Sequence, residues 1–206
     1  PQGGDIVSLI MEEGAITDVY GNQNDAYSSE DVWWKYFAMT KEMVLGNFNF
    51  TYISADDGKK YDTGIATVIE DPETENGVII KNLYMNGSEL PGRYDITTGK
   101  FYVGAFYSLG VVTGKKQNYG LITYSLTAQE EIAFTVNADG TIVSTDFGVV
   151  ACDENFTSAI GWWEKAATAT LTPAAQTKAA VQSFSFNKKT TKIAVTGIES
   201  LGTVNK

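Results

Sequence analysis

The sequence predicts an all-β protein, built as an antiparallel barrel or a two-layer sandwich of about ten strands. Two observations carry this prediction. Apolar and polar residues alternate in short runs, which is the pattern of a strand with one buried face. Dipeptides that end in glycine separate these runs at intervals of roughly 8 to 15 residues, a spacing that is typical of all-β domains.

The alternation is clearest in residues 47–52, where Phe48, Phe50 and Tyr52 occupy every second position. The same period recurs at Ile122, Tyr124 and Leu126, at Ile132, Phe134 and Val136, and at Phe184 and Phe186. Further β-rich runs cover residues 65–69, 78–84, 101–106, 142–144 and 193–195. We expect each of these runs to form a strand.

Glycine-containing pairs separate the strands, because glycine readily adopts the positive φ that tight turns require. The pairs are Asp57-Gly58, Asn76-Gly77, Asn86-Gly87, Thr98-Gly99 and Asp139-Gly140. Pro91 and Gly92 bend the chain between two strands. Residues 109–118 have little periodicity and are predicted to form a mobile hairpin loop.

Three regions follow from these patterns. Residues 1–44 form an N-terminal segment that packs on the main domain or leads into it, and residues 45–172 form the main β domain. Within the first region, Ser28 to Asp31 starts either a short helix or a bent strand. Residues 173–206 form a connector and a C-terminal hairpin with its turn at residues 187–190. Whether this hairpin joins the main sheet or packs on another subunit stays open.

The amino-acid composition of the chain restricts the kinds of partner that it can bind. The formal net charge is −10 and the pI is about 4.5. Lys and Arg never occur in runs longer than two, so the chain lacks the basic surface that nucleic acid binding requires. No stretch approaches the ~18 to 20 apolar residues of a membrane-spanning helix. The oligomeric state is left open.

The chain has no histidine and a single cysteine, Cys152. Without histidine, neither a Ser-His-Asp nor a Cys-His arrangement can be built, and the usual zinc ligand is missing. Acidic pairs occur at Asp56-Asp57, Glu70-Asp71, Glu130-Glu131 and Asp153-Glu154. Each pair lies in or beside a predicted turn and is interpreted as solvated. We therefore expect no catalytic residue, no metal and no cofactor, and Cys152 is expected to be a packed, inert thiol.

The aromatic residues are the candidate ligand-binding positions. All four tryptophans occur in two adjacent pairs, Trp33-Trp34 and Trp162-Trp163. Neighbours in a strand point to opposite faces, so each pair would direct one indole outward, where it could stack on a sugar or contact a protein. Tyr102 is a further candidate. The alternative is that these rings cover a barrel end or lie in an interface.

Three segments together resemble a known group: Tyr94-Asp95 to Gly99, then residues 137–142 (NADGTI), then Gly161-Trp162-Trp163 leading to Leu171. They resemble the secreted or lipid-anchored β-rich proteins of Bacteroidetes, with calycin-like (lipocalin-like) barrels or sandwiches and mostly unknown function. The resemblance implies an export signal and a place in the periplasm or at the cell surface, often with a lipid anchor. It implies no catalytic residues.

We therefore expect a non-catalytic, extracytoplasmic ligand-binding protein of the bacterial cell envelope. Its ligand would be a glycan bound by exposed aromatic rings, or a small apolar molecule inside the mouth of a barrel. The alternative is a structural or protein-interaction module of the envelope with no small-molecule ligand. An enclosed apolar cavity would favour carriage of an apolar molecule, whereas a filled interior would favour recognition at the surface.

Overall fold

The computed structural model describes residues 6–7, 10–28, 34–35, 38–114, 116–174, 191–198 and 201–204, and at 6–7, 27–28 and 34–35 it describes the backbone only. The chain divides into two compact units, Pro1–Met39 and Thr40–Lys206. The boundary lies close to residue 44, where we placed the end of the N-terminal segment.

The first unit contains two small antiparallel strand pairs. Strand β1 (Ile6–Val7) pairs with β4 (Trp34–Lys35), and β2 (Ile10–Met11) pairs with β3 (Tyr27–Ser28). Asp18 holds the turn between β2 and β3, because its Oδ1 accepts hydrogen bonds from the backbone N–H groups of Tyr20 and Asn22 at 2.8 and 2.9 Å. The helix or bent strand expected from Ser28 to Asp31 lies mostly outside the described residues.

The second unit begins with a 3-10 turn at Lys41–Met43 and continues almost entirely as strands. They are β5 (Gly46–Ser54), β6 (Lys60–Glu70), β7 (Gly77–Lys81), β8 (Glu89–Asp95), β9 (Lys100–Gly104), β10 (Ser108–Thr113), β11 (Asn118–Ser125), β12 (Glu131–Val136), β13 (Ile142–Ser144), β14 (Phe147–Cys152) and β15 (Ala159–Pro173).

Eight of these strands close into an antiparallel barrel, in the order β5, β6, β7, β8, β9, β12, β13 and β15. The second half of β15 closes the ring, since Leu171 pairs with Ile142 of β13 on one side and with Phe50 of β5 on the other. The predicted all-β antiparallel fold is confirmed, and of the two predicted architectures the chain adopts the barrel. Its form is consistent with a calycin-like barrel.

The first half of β15 carries a sheet extension. It pairs with β14, which pairs with β11, which in turn pairs with β10. The prediction of a hairpin loop over residues 109–118 was therefore wrong. Strand β10 continues to Thr113 and β11 starts at Asn118, and the N–H of Gly114 bonds to the carbonyl of Gln117 at 3.0 Å to make a tight turn between them. A register shift between Ser108 and Gly110 interrupts the alternation of apolar and polar residues along β10, so the sequence does not show the strand.

The barrel interior is filled by aromatic side chains. Phe50, Phe101, Phe134 and Phe147 are all fully buried. The ring centroids of Phe50 and Phe147 lie 5.2 Å apart, those of Phe134 and Phe147 lie 6.5 Å apart, and those of Phe101 and Phe134 lie 6.3 Å apart. Such continuous ring contact is the packing of a solid core. Its own side chains thus occupy this part of the interior.

A second apolar cluster, the satellite cluster, lies on the sheet extension and consists of the buried residues Ile122, Tyr124, Val150 and Cys152. Part of the described C-terminal segment, residues 191–198 and 201–204, packs against it through Ile193, Val195, Ile198 and Leu201. This segment bonds to the start of β15, since the N–H of Trp162 donates to the carbonyl of Gly202 at 2.7 Å. The predicted hairpin turn at residues 187–190 lies outside the described residues, as does the strand predicted around Phe184 and Phe186. The prediction of a strand at residues 193–195 was wrong, because the described segment there makes only an isolated bridge, between Thr196 and Ser158.

Cys152 is a packed thiol, as expected. It is fully buried in the satellite cluster. Burial, with a smaller contribution from Asp153, raises the pKa of this thiol to about 12. Because the thiolate is the reactive form, the side chain is inert at neutral pH.

Candidate functional site

A groove of about 360 Å³ lies on the outer face of strands β8, β9 and β12. We call it the Arg93 groove; it is lined by Thr74, Pro91, Gly92, Arg93, Gly104, Tyr107, Glu130, Glu131 and Lys192. Its volume falls in the range of roughly 300 to 1,000 Å³ that small-molecule sites occupy. Much of it is built on strands, which position side chains more rigidly than loops do.

Strand alternation and register bring the groove residues together. In β8, Leu90 and Tyr94 are buried in the core, so Pro91 and Arg93 are directed to the other face. Arg93 lies directly opposite Tyr102 of β9. On the far side of β9, Glu131 of β12 lies opposite Gly104.

Arg93 joins these three strands through two contacts. Its guanidinium carbon lies 3.8 Å from the centroid of the Tyr102 ring. Its Nε donates to Glu131 Oε1 and Oε2 at 2.9 and 3.1 Å, and its Nη2 donates to Oε2 at 2.7 Å. This is a bidentate pair, and it raises the pKa of Arg93 above its usual value. The plane of the guanidinium is therefore fixed by a ring beneath it and a carboxylate beside it.

A second ion pair completes the rim. Lys192 Nζ lies 2.9 Å from Glu130 Oε1, and the same ammonium lies 5.3 Å from the centroid of the Phe106 ring. The hydrogen bond from Lys192 holds the pKa of Glu130 below its usual range. The C-terminal segment that supplies Lys192 is itself anchored nearby, since the N–H of Ile193 donates to the carbonyl of Phe106 at 2.7 Å.

Tyr107 supplies the aromatic wall of the Arg93 groove. A Cβ atom added to Gly104 would lie 2.7 Å from Cε2 of Tyr107, so the ring rests directly on the Gly104 backbone. The preceding residue, Phe106, has φ 66, a left-handed conformation that is rare for a bulky side chain. Backbone strain of this kind clusters at functional sites. The buried Thr123 Oγ1 accepts a hydrogen bond from the N–H of Tyr107 at 3.1 Å and stabilises this conformation.

The electrostatics of the groove are balanced. It contains two cations, Arg93 and Lys192, and two carboxylates, Glu130 and Glu131, which pair one to one. The rest of the chain is acidic, with a net charge of −10. The groove is thus a neutral, hydrogen-bonding patch on an acidic protein.

A larger depression of about 590 Å³ lies between two loops of the sheet extension. It is lined by Gly114, Lys116, Gln117, Asn118, Asp153, Glu154 and Asn155. None of these residues is aromatic, and the depression is formed mostly by turns. It lacks the combination of a flat apolar ring and fixed polar groups that distinguishes the Arg93 groove.

Glu164 is the only charged side chain that is buried among the described residues. Its carboxylate accepts hydrogen bonds from Ser54 Oγ at 2.6 Å, from Tyr52 Oη at 3.2 Å and from the backbone N–H of Lys165 at 3.2 Å. The ring of Tyr84 lies 5.7 Å from that of Tyr52. Glu164 lines neither of the two depressions, and we interpret this network as a structural element of the barrel.

Burial changes the acidity of both tyrosines near Glu164. It raises the pKa of Tyr52 far above its usual value and raises that of Tyr84 to about 12. Tyr84 also has φ 65, and it accepts a hydrogen bond from the Trp163 indole. The two phenols are therefore neutral at ordinary pH and serve as hydrogen-bonding groups.

The structure places only one of the sequence-predicted binding residues beside the Arg93 groove. Tyr102 lies beneath the Arg93 guanidinium. Trp162 packs edge-on against Tyr124 in the satellite cluster at 5.2 Å, and Trp163 lies 5.7 Å from Tyr119. Both indoles are half-buried and line neither depression.

The two N-terminal tryptophans lie outside the part of the chain for which the structure describes side chains. Trp34 belongs to β4, where only its backbone is described, and Trp33 lies outside the described residues.

Sequence reasoning missed most of the Arg93 groove. No sequence pattern identified Arg93, Tyr107 or Lys192 as binding residues. The pair Glu130-Glu131 was interpreted as solvated turn residues. Glu131 in fact starts β12 and pairs with Arg93. An isolated arginine opposite a tyrosine in a strand pair is the signal that could have been used, but it requires knowledge of the register.

The fold defines the class of this protein as an all-β protein with a closed eight-stranded antiparallel barrel. Comparison of the chain with protein-family models, with curated proteins and with solved structures found no match. In the described part of the chain no helix is long and apolar enough to cross a bilayer. Within the same ranges, no three His, Cys, Asp or Glu side chains are grouped so as to hold a metal ion.

Proposed function

We propose that this protein is a non-catalytic, extracytoplasmic binding protein of the bacterial cell envelope that recognises a glycan in the Arg93 groove. The observation that carries the proposal is the groove itself. It combines an aromatic wall, Tyr107, with two ion pairs, Arg93–Glu131 and Lys192–Glu130. Arg93 and Glu131 lie on the barrel strands β8 and β12.

The groove has the groups that a sugar ring needs. A sugar offers an apolar C–H face and a set of hydroxyls that both donate and accept hydrogen bonds. Tyr107 provides a flat apolar surface for that face. The guanidinium, the ammonium and the carboxylates provide donors and acceptors beside it. Charged partners also make the stronger hydrogen bonds.

The filled core argues against an apolar cargo. Phe50, Phe134 and Phe147 are in contact in the barrel, and each is fully buried. A small apolar ligand would have to displace rings from a close-packed core, and this costs several kcal/mol in lost contacts. Binding on the outer face requires no such change.

Two features favour binding over catalysis. The chain has no histidine, and both carboxylates of the groove are paired with a cation. A glycosidase needs a carboxylic acid whose pKa is raised, so that it can protonate the leaving group. The hydrogen bond from Lys192 instead lowers the pKa of Glu130. Glu131 is held in a bidentate pair with Arg93. Both carboxylates are thus suited to accept hydrogen bonds.

The envelope location rests on the sequence resemblance, which implies export. The acidic surface is compatible with such a location.

One observation favours the alternative, a protein-interaction module without a small-molecule ligand. Ile53 and Ile65 are 40% and 45% exposed on the outward face of the adjacent strands β5 and β6. Large apolar side chains grouped on a surface are common at protein contacts.

A glycan array followed by calorimetry tests the proposal. The wild-type protein should bind a defined set of glycans. Tyr107→Ala should weaken binding by about five- to tenfold, because a lost aromatic contact is worth about 1 to 1.5 kcal/mol. Tyr20→Ala is the matched control, since Tyr20 is 87% exposed in the first unit.

Two further readouts separate the alternatives. Incubation with the bound glycan should yield no cleavage products. The proposal is rejected in favour of the interaction module by two results together. The wild-type protein binds no glycan on the array, and it binds an envelope protein whose binding is lost in an Ile53→Ser/Ile65→Ser variant.

A further inference from the structure

We infer that the Arg93 groove selects uncharged saccharides and discriminates against acidic ones such as uronic acids. The inference rests on the proposed function and adds the chemical class of the ligand. It follows from one property of the groove: each of its two cations already has a carboxylate partner.

The charge of Arg93 is already neutralised by a carboxylate. Both oxygens of Glu131 accept hydrogen bonds from its Nε and Nη2 in a bidentate pair. The guanidinium plane is also fixed by the Tyr102 ring at 3.8 Å. An acidic sugar would either displace Glu131, which would leave that carboxylate without its cation, or use the remaining Nη1 edge, which would place a second carboxylate around a guanidinium whose charge is already neutralised.

Lys192 also has a carboxylate partner, since its Nζ lies 2.9 Å from Glu130 Oε1 in a single contact. Glu130 and Glu131 are consecutive residues, and both line the groove. Displacing either cation would therefore expose a carboxylate beside another one and beside the incoming anion. Like charges at such short range repel each other, and the net charge of −10 adds a long-range repulsion.

An uncharged sugar avoids this penalty. A hydroxyl can accept a hydrogen bond from an N–H of Arg93 that faces away from Glu131, or from a second hydrogen of the Lys192 ammonium. It can at the same time donate to a free lone pair of Glu130 or Glu131. Both ion pairs stay intact, so the sugar gains charge-assisted hydrogen bonds without breaking any.

Matched pairs of oligosaccharides test the inference. Each pair consists of a neutral hexose oligomer and the corresponding uronic acid oligomer, measured by calorimetry at about 0.15 M ionic strength. The wild-type protein should bind the neutral member at least about tenfold more tightly. Glu131→Gln releases Arg93 and Glu130→Gln releases Lys192, so each variant should narrow or invert this preference.

Glu70→Gln is the matched control. It also removes one negative charge, and it releases Lys41, whose Nζ lies 2.7 Å from Glu70 Oε1 outside the groove. This variant should keep the preference of the wild-type protein. Thermal unfolding shows whether each variant is folded. If a single variant is not, the Arg93→Gln/Glu131→Gln double variant is measured in its place. It removes the ion pair without freeing a cation, so it should keep the preference for neutral sugars.

The outcomes separate the inference from the function on which it rests. If the wild-type protein binds the acidic member as tightly as the neutral one or more tightly, the inference is overturned while glycan binding stands. An unchanged preference in folded Glu131→Gln and Glu130→Gln variants overturns it as well. Failure to bind any saccharide overturns the proposed function and the inference together.

Discussion

The guanidinium of Arg93 lies 3.8 Å from the centroid of the Tyr102 ring, across the pairing of β8 with β9. The two residues are direct cross-strand partners, and the bidentate pair with Glu131 holds the guanidinium over the ring. A strand pair, a cation–π contact and an ion pair thus meet at one point on the outer face of the barrel.

A double-mutant cycle should detect the Arg93–Tyr102 contact. We expect Arg93→Gln and Tyr102→Leu to be non-additive in the free energy of unfolding, with a coupling of about 0.5 to 1 kcal/mol, which is typical of a partly exposed cation–π pair. Urea unfolding of the four proteins measures it. A coupling of zero would mean that the two side chains lie together without stabilising each other.

Gly104→Ala should impair glycan binding more than stability. The new Cβ would lie 2.7 and 2.8 Å from Cε2 and Cδ2 of Tyr107 and would push the ring out of position. A side-chain ring can move, so we expect a stability loss of only about 1 kcal/mol. Binding by calorimetry should fall by about tenfold.

Gly202→Ala is the control for this substitution, because a Cβ at Gly202 meets nothing within 4 Å. It should leave both stability and binding unchanged. A Gly104→Ala variant that binds glycans with wild-type affinity would show that Tyr107 is not part of the binding surface.

The stability of the barrel should fall at high pH because the pKa values of two buried phenols, Tyr52 and Tyr84, are raised. Part of this loss comes from Tyr84. Its pKa is raised to about 12, whereas an unfolded tyrosine titrates at about 10. The folded state therefore favours the protonated form, so the stabilisation is complete below about pH 10 and is lost as the pH rises towards about 12. Two pH units correspond to about 2 to 3 kcal/mol.

Tyr84→Phe should reduce this loss. Urea unfolding at about pH 9 and about pH 11.5 measures the difference between the two conditions for each protein. Tyr20→Phe, at an exposed position, serves as the comparison. If the wild-type and Tyr84→Phe proteins lose equal stability over this interval, other groups control the alkaline transition.

Cys152 should react with a thiol reagent only when the protein opens. The side chain is fully buried and burial raises its pKa to about 12, so at about pH 8 the native thiolate is scarce. We expect the labelling rate to be slower than that of the urea-unfolded chain by at least about a hundredfold. Rapid labelling without denaturant would show that the C-terminal segment leaves the satellite cluster readily.

Several strands of the barrel, such as β5, could be predicted because each has one buried face. Strand β15 was not predicted, and the prediction that Pro91 and Gly92 bend the chain between two strands was wrong, since both lie within β8. Phe48, Phe50 and Tyr52 are buried, and the residues between them are not. Strand β10 escaped prediction because a register shift between Ser108 and Gly110 interrupts its alternation. Local pattern thus identifies a strand only while the pleat is regular.

The Arg93 groove could not be predicted, since its residues come from distant parts of the chain. Only pairing register brings Arg93 next to Glu131, and only the path of the C-terminal segment brings Lys192 to Glu130. Neither is visible in a local pattern. Tyr102 was selected as one strand aromatic among several, and its partner Arg93 was not foreseen.

Strand β15 is shared between the barrel and its extension, and it pairs with β5 from the opposite end of the domain. Ser54 and Glu164, which bond across this junction, are 110 residues apart in the chain. The ring therefore cannot seal until nearly the whole domain has left the ribosome, and such distant contacts form slowly. Until then β5 and β13 present bare edges, so fragments that end before residue 159 should associate with one another rather than stay monomeric.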